Sequence, residues 1–219
     1  MQVIVAGVCH TPAVRSLLVI RHGETEWNVA GRWQGWLDIP LSEAGHRQAR
    51  ARGSHLAELG VGFVGIVSSD LARAAATADH IATALGDRPP IHLTKGLRER
   101  CGGEFEGLDA SEIDLRWPGF RERWRARLVD GPPGGESDET VWSRVQAVLE
   151  TLSTYPEGPL LIVTHGGVVR VMSDRSASPT REVMTNVGGR WFEWNGDRLR
   201  AGEFLEPIPD TDRTRPAIE

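Results

Sequence analysis

The 219-residue chain has no apolar run long enough to cross a membrane, which takes about 20 consecutive residues. Residues 3–8 are apolar, but the run is short and no basic segment precedes it, so neither a signal peptide nor a membrane anchor is expected. Cysteine is almost missing: Cys9 and Cys101 form neither a C-x-x-C pair nor part of a His/Cys cluster. That argues against a disulfide framework and a zinc site, and it fits a reducing cytoplasm. Lysine is rarer still, Lys95 being the single one among 25 basic residues, a skew read as genome base composition rather than chemistry. Positive charge in excess is lacking as well. A formal net charge of −5 predicts no general attraction to nucleic acid or to an anionic membrane, so an anionic ligand must be held by a local group of arginines. No internal repeat and no linker divides the chain, whose length suits one domain with a sizeable core.

What is present is concentrated in residues 16–28, Ser-Leu-Leu-Val-Ile-Arg-His-Gly-Glu-Thr-Glu-Trp-Asn. Four apolar residues, Leu17, Leu18, Val19 and Ile20, read as a strand buried on both faces. The run stops on Arg21 and His22, then Gly23. The carboxyl end of a buried strand is where open α/β sheets keep their ligand sites, and a glycine there lets the backbone turn or approach a ligand closely. The device recurs once, where Leu160, Leu161, Ile162, Val163 and Thr164 run into His165, Gly166 and Gly167. If the two strands are neighbours, both imidazoles reach one crevice.

Arg21-His22-Gly23-Glu24-Thr25 with Asn28 resembles the signature of the histidine phosphatase superfamily, the phosphoglycerate mutase-like proteins. Companion motifs follow in order. Ser69-Asp70-Leu71-Ala72-Arg73-Ala74 resembles the segment carrying that family's second arginine, and Thr164-His165-Gly166 its second histidine motif. Leu97-Arg98-Glu99, followed by Gly103-Glu104-Phe105-Glu106-Gly107, resembles the segment carrying its proton donor. The resemblance spans about residues 16–170, with a weaker echo at 186–194.

Around these motifs, strands alternate with helices. After the first strand, residues 29–40 read as a loop; Ser42 caps a helix that Gly60 ends. Residues 63–68 read as a strand, and Asp70 as the cap of an alanine-rich helix with Leu71, Ala74, Ala78, Ile81 and Leu85 on its apolar face. A short strand follows at 91–93, a short helix at 110–117, and a helix from Ser137 or Asp138 to Leu152. Arg121, Arg123, Arg125 and Arg127 alternate and would face both sides of a helix, so they form no single basic stripe. Beyond the second histidine strand come a polar stretch at 173–180, strand-like residues 190–194, a turn at Asn195-Gly196 and a last strand near Leu199. The expected architecture is an α/β three-layer sandwich, a mostly parallel sheet with helices on both faces. Residues 96–136 form a cap insertion over the strand ends, within one domain at 16–206. Residues 1–15 read as an extension and 207–219 as a disordered tail.

Phosphoryl transfer needs a nucleophile, positive groups around the equatorial oxygens and a proton for the leaving oxygen. A neutral His22 can attack phosphorus and form a phosphohistidine that water hydrolyses. Arg21 and Arg73 offer permanently charged forks for phosphate oxygens, and His165 can donate to the phosphoryl group as charge develops. The resemblance implies these same roles. It adds Asn28 and Gly166 at the phosphoryl site and, by its place in the motif, Glu99 as the general acid rather than Glu104 or Glu106. Thr25, Gln34, Gly35 and Arg98 are candidate substrate contacts. Trp33, Trp36, Trp117 and Trp124 suit either a sugar face or the core. His10, His46, His55, His80 and His92 have no partner in sequence and read as surface or packing residues.

Only about 25 residues separate Gly107 from Gly135-Glu136-Ser137, and Cys101 and Gly102 stand where the family's mutases carry histidine and tyrosine. Both features resemble the phosphatase branch, and a shorter cover shields phosphohistidine less well from water. The expectation is a metal-independent phosphomonoesterase for a small phosphorylated metabolite, a sugar phosphate or phospho-sugar acid, with no cofactor. A phosphoglycerate mutase and a catalytically silent phospho-ligand binding module are the alternatives; a homodimer stays open. Two departures from the family stand out: Phe105 replaces a tryptophan, and residues 173–179 are short and polar where relatives carry a longer apolar helix.

Overall fold

The computed structural model describes residues 14–177, 184–205 and 208. Nearly all of the expected N-terminal extension, the expected tail and the end of the polar 173–180 stretch lie outside the described residues. In chain order the elements are β1 (Arg15–Arg21), α1 (Glu26–Ala30), α2 (Glu43–Glu58), β2 (Gly65–Ser69), α3 (Ala72–Ala84), β3 (Ile91–Thr94), α4 (Ala110–Arg116), α5 (Phe120–Arg125), α6 (Asp138–Thr151), β4 (Leu160–Thr164), α7 (Gly166–Arg175), β5 (Gly189–Trp194) and β6 (Leu199–Phe204). Among the described residues no helix is long and apolar enough to cross a membrane.

The six strands form one sheet in the order β3-β2-β4-β1-β5-β6. β1 to β4 are mutually parallel, and β5 and β6 add an antiparallel edge. β1 and β4 are apolar throughout because both faces are covered. Leu17, Val19, Leu160 and Ile162 face a core shared with Val145, Leu149, Val168 and Met172 of α6 and α7. Leu18, Ile20, Leu161 and Val163 face one shared with Leu56, Ala74, Ala78 and Ile81 of α2 and α3. Alternate strand residues therefore feed opposite layers, which is the three-layer sandwich.

The register of β1 against β4 pairs Arg21 with Thr164, so His22 and His165 leave the sheet side by side. Residues 103–129 build a separate apolar cluster in which Phe105, Ile113 and Phe120 pack with Trp33, Trp117 and Trp124.

Three local readings need correction. Residues 29–40 are not all loop: Thr25 caps the short helix α1, its hydroxyl and the Asn28 side chain making a reciprocal capping box. At five residues, α1 is too short to show a period. Asp70 does not cap α3; the cap position is Leu71, and the Ala72 amide donates to Asp38 at 2.7 Å instead. Asp70 turns to Arg98, with both carboxylate oxygens 2.7 Å from its guanidinium. The polar start of the 173–180 stretch continues α7 to Arg175, where buried Ser173 lies 3.3 Å from the guanidinium of Arg190.

The loop after β1 is pressed onto the start of α2 through two glycines. A Cβ on Gly23 would stand 2.6 Å from the Gly45 carbonyl oxygen, and one on Gly45 only 2.0 Å from that of Glu24. Gly45→Ala gains about 1 kcal/mol in helix propensity, but overpacking against backbone costs about 1–3 kcal/mol or more. The clash decides the sign. Urea denaturation should show net destabilisation; a more stable variant would refute this packing.

Candidate active site

His22 sits just past β1, 2% exposed. Its backbone is held by its own amide donating to Thr164 O at 2.9 Å and by Asn186 Nδ2 donating to its carbonyl at 3.0 Å. The ring is fixed by Nδ1, 2.6 Å from the Gly23 carbonyl. A carbonyl only accepts, so Nδ1 carries the proton and Nε2 keeps the lone pair. Burial first, then the charges of Arg73 and Arg21, hold this imidazole well below the ordinary histidine pKa. His22 is thus a neutral imidazole whose lone pair sits on Nε2.

His165 lies 5.1 Å from His22, centroid to centroid, with the rings edge to face. Its Nε2 is 2.8 Å from Ser69 Oγ, while the buried Nδ1 has no hydrogen-bond partner among the described residues. Burial, again with Arg73 next, keeps this ring neutral too.

Arg73 is fully buried on the first turn of α3. Nη1 donates to Leu37 O at 2.9 Å and Nη2 to Gly35 O at 2.8 Å, and Nε is buried with no hydrogen-bond partner among the described residues. Burial draws its pKa down to about 10, which still leaves it charged at neutral pH. Arg21 donates to Met184 O at 2.8 Å. Unsatisfied buried polar atoms are costly, and the Arg73 Nε–H is a donor that an anionic oxygen would satisfy.

Asn28 is oriented by what its oxygen accepts. Oδ1 takes the Thr25 amide at 3.0 Å, the Thr25 hydroxyl at 3.1 Å and Asn186 Nδ2 at 3.3 Å. The remaining amide nitrogen of Asn28 is left as a donor at the wall of the cavity that His22, Arg21 and Arg73 also line. Gln34, Gly35, Glu99 and Gly166 line the same cavity, with the N-terminus of α7 opening onto it. Glu99 presents its carboxylate to the Arg100 amide at 2.7 Å and the Gly167 amide at 3.2 Å. A Cβ on Gly167 would stand 2.4 Å from Glu99 Oε1, so a larger residue there would displace the carboxylate.

Two candidate substrate contacts are placed elsewhere. Thr25 is fully buried and spends its hydroxyl on the α1 cap, and Arg98 spends its fork on Asp70. Neither lines the cavity. Arg100 does, with Trp124, Arg170 and Arg32. Arg100 pairs with Asp138 and lies 5.4 Å above the Trp124 ring. Arg121, Arg125 and Arg127 line an adjoining hollow that shares Trp124, Gly166 and Arg170, and Arg121 and Arg127 pair with Asp114 and Asp174. Of the histidines read as surface or packing, His46 and His80 meet at 2.8 Å and His55 meets Arg52. Arg100 and Arg170 carry no motif, whereas Ser69 stands at the start of the second-arginine motif. Only the 186–194 echo pointed to Asn186.

Two strand-end histidines, two buried guanidiniums and a helix N-terminus round one crevice define a phosphoryl-transfer site on an α/β sandwich. Residues 17–199 match the model of the histidine phosphatase superfamily (branch 1). The chain belongs to that family. It is 38% identical over 170 residues to a glucosyl-3-phosphoglycerate phosphatase of Mycolicibacterium vanbaalenii, covering 73% of each. It is 34% identical over 163 residues to a 2,3-bisphosphoglycerate-dependent phosphoglycerate mutase of Mesorhizobium japonicum, covering 72% of this chain and 79% of that one. The mycobacterial glucosyl-3-phosphoglycerate phosphatase solved with VO3 superposes with a TM-score of 0.76 at 31% identity, over 87% of this chain and 97% of that one.

Because both rings stay neutral in the fold, the unfolded chain takes up protons first as pH falls. Their share of stability is complete above about pH 6.5 and is lost below it, by up to about 1.4 kcal/mol per pH unit for each ring. Urea denaturation at about pH 7.5 and about pH 5.5 should show this loss, and His165→Asn should reduce it by one ring's share. An unchanged pH dependence in that variant would contradict the buried neutral ring.

Proposed function

We propose a mechanism and a substrate class for this phosphomonoester hydrolase: metal-independent hydrolysis of a phosphorylated sugar or sugar acid through a phosphohistidine on His22. The observation that carries it is the Gly23 carbonyl on Nδ1, which fixes the tautomer and leaves Nε2 as the attacking atom between Arg21 and Arg73. In the first step Nε2 bonds to phosphorus, the P–O ester bond breaks, and the ester oxygen takes its electron pair and a proton from Glu99. Arg21, Arg73, Asn28, His165 and Gly166 hold the phosphoryl oxygens through both steps. Water then attacks phosphorus, Glu99 accepts its proton, and the P–N pair returns to Nε2.

The substrate class is supported by the relatives named for glucosyl-3-phosphoglycerate, and by Gln34, Gly35 and Trp124 in the cavity wall as contacts for a sugar. The short segment between Glu99 and Glu136 favours hydrolysis over mutase chemistry, because water reaches a less covered phosphohistidine. The mutase reading rests on relatives of nearly equal identity and is tested beside it. A reducing cytoplasm suits the free Cys101.

Phosphate release from glucosyl-3-phosphoglycerate, 3-phosphoglycerate, sugar phosphates and an aryl phosphate, all with chelator, tests the reading. Release should survive the chelator and fall at least about 10³-fold in His22→Ala. Quenched wild-type enzyme should carry acid-labile phosphate that His22→Ala lacks. Phosphoglycerate isomerisation without matching phosphate release would move the assignment to mutase.

A further inference from the structure

Glu99 belongs to no helix or strand; it follows a short 3-10 turn, Lys95–Leu97, so no ladder of backbone bonds fixes it. Side chains hold it instead. Arg144 of α6, 17% exposed, donates through Nη1 to Gly96 O at 2.9 Å and Arg98 O at 2.6 Å, and through Nη2 to Glu99 O at 3.0 Å. The same guanidinium binds Glu136 at 3.0 and 2.9 Å, and Glu136 accepts the Cys101 amide at 2.8 Å. One half-buried ion pair therefore grips the chain on both sides of the acid.

The Glu99 carbonyl takes a second donor, Trp36 Nε1, at 2.7 Å. Trp36 is itself braced: its amide donates to Glu106 at 2.9 Å, and Arg98 lies 5.6 Å over its ring. Its neighbours Gly35 and Leu37 are the two residues whose carbonyls hold Arg73. A three-residue segment thus ties the phosphate-facing arginine to the backbone of the acid, although the two come from different elements.

We propose that Arg144 and Trp36 are positioning residues that set where the Glu99 carboxyl meets the leaving oxygen. The inference rests on the reading of Glu99 as general acid. An acid must lie within hydrogen-bond reach of the oxygen it protonates, and a displacement of about 1 Å can cost on the order of 10²-fold. The effect has a chemical signature, because a sugar alkoxide needs the proton in order to leave and 4-nitrophenolate does not. The parameter kcat/KM covers the steps up to P–N bond formation and so isolates that need.

The experiment compares kcat/KM for glycerol 3-phosphate and 4-nitrophenyl phosphate in wild type, Glu99→Gln, Arg144→Lys and Trp36→Phe, and in each clamp substitution combined with Glu99→Gln. Trp36→Phe removes the indole N–H while keeping an aromatic ring at a residue that is 42% exposed, so it is the arm least open to misfolding. Both clamp variants should lose about 10- to 100-fold on the alkyl ester and less than about 3-fold on the aryl ester. On the Glu99→Gln background they should add no further loss. Equal losses on both esters, or full additivity with Glu99→Gln, would overturn the positioning role. Glu99→Gln losing equally on both esters would overturn the acid assignment and the proposal with it. A wild type that cleaves neither ester would overturn the hydrolase reading first.

Discussion

Two guanidiniums are taken out of water beside two imidazoles, and most of the structure around the crevice answers to that arrangement. Burial first, and then the charge of the guanidiniums, keeps both rings neutral, which is what a nitrogen nucleophile requires. The manner of holding Arg73 matters as much as its position. Its fork is gripped by the carbonyls of Gly35 and Leu37, dipoles that orient the charge without cancelling it. A carboxylate in their place would have neutralised the arginine before any phosphate arrived. The carboxylates near the site serve other partners: Asp70 faces Arg98, Asp138 faces Arg100 and Arg170, and Glu136 faces Arg144.

The central strand pair delivers the rings at one level, and glycines let the surrounding backbone close in. Gly23 and Gly45 allow the nucleophile loop to lie on α2, and Gly167 admits the Glu99 carboxylate to the first turn of α7. The opposite compromise occurs at Val187, a β-branched residue held at φ 51. Its amide reaches the carbonyls of Arg21 and His22 at 3.1 and 3.3 Å, and its own oxygen accepts the buried Arg52 at 2.8 Å. Conformational strain of this kind persists where the surroundings over-determine it.

The sheet and the two histidines were legible because a buried parallel strand writes an unbroken apolar run, and a charged residue at its end is conspicuous. Polar side chains with a choice of partner were not. Arg98 and Thr25 look like ligand contacts in one dimension, yet one finds Asp70 across the fold and the other completes a five-residue helix. Asp70 reads as a helix cap until Asp38, from a distant loop, takes that place. Arg100 and Arg170 carry no pattern of their own; they converge on Asp138 only once the chain is folded. The tryptophans divided between both readings, with Trp117 in the apolar cluster of residues 103–129 and Trp33 and Trp124 shared between it and the cavity.

The order of strands also constrains how the molecule comes into being. β1, made early, finds its two sheet neighbours in β4 and β5, more than 130 residues further along, and the His22 carbonyl receives Asn186 across a separation of 164 residues. During synthesis the nucleophile strand therefore leaves the ribosome with no partner on either edge and waits for most of the chain to follow. Non-local pairings of this kind fold slowly, and an unpaired apolar strand is exposed to aggregation meanwhile. The C-terminal segment that closes the site is thus also the last piece of the central sheet to arrive, so that a nascent chain acquires its fold and its chemistry at the same late moment.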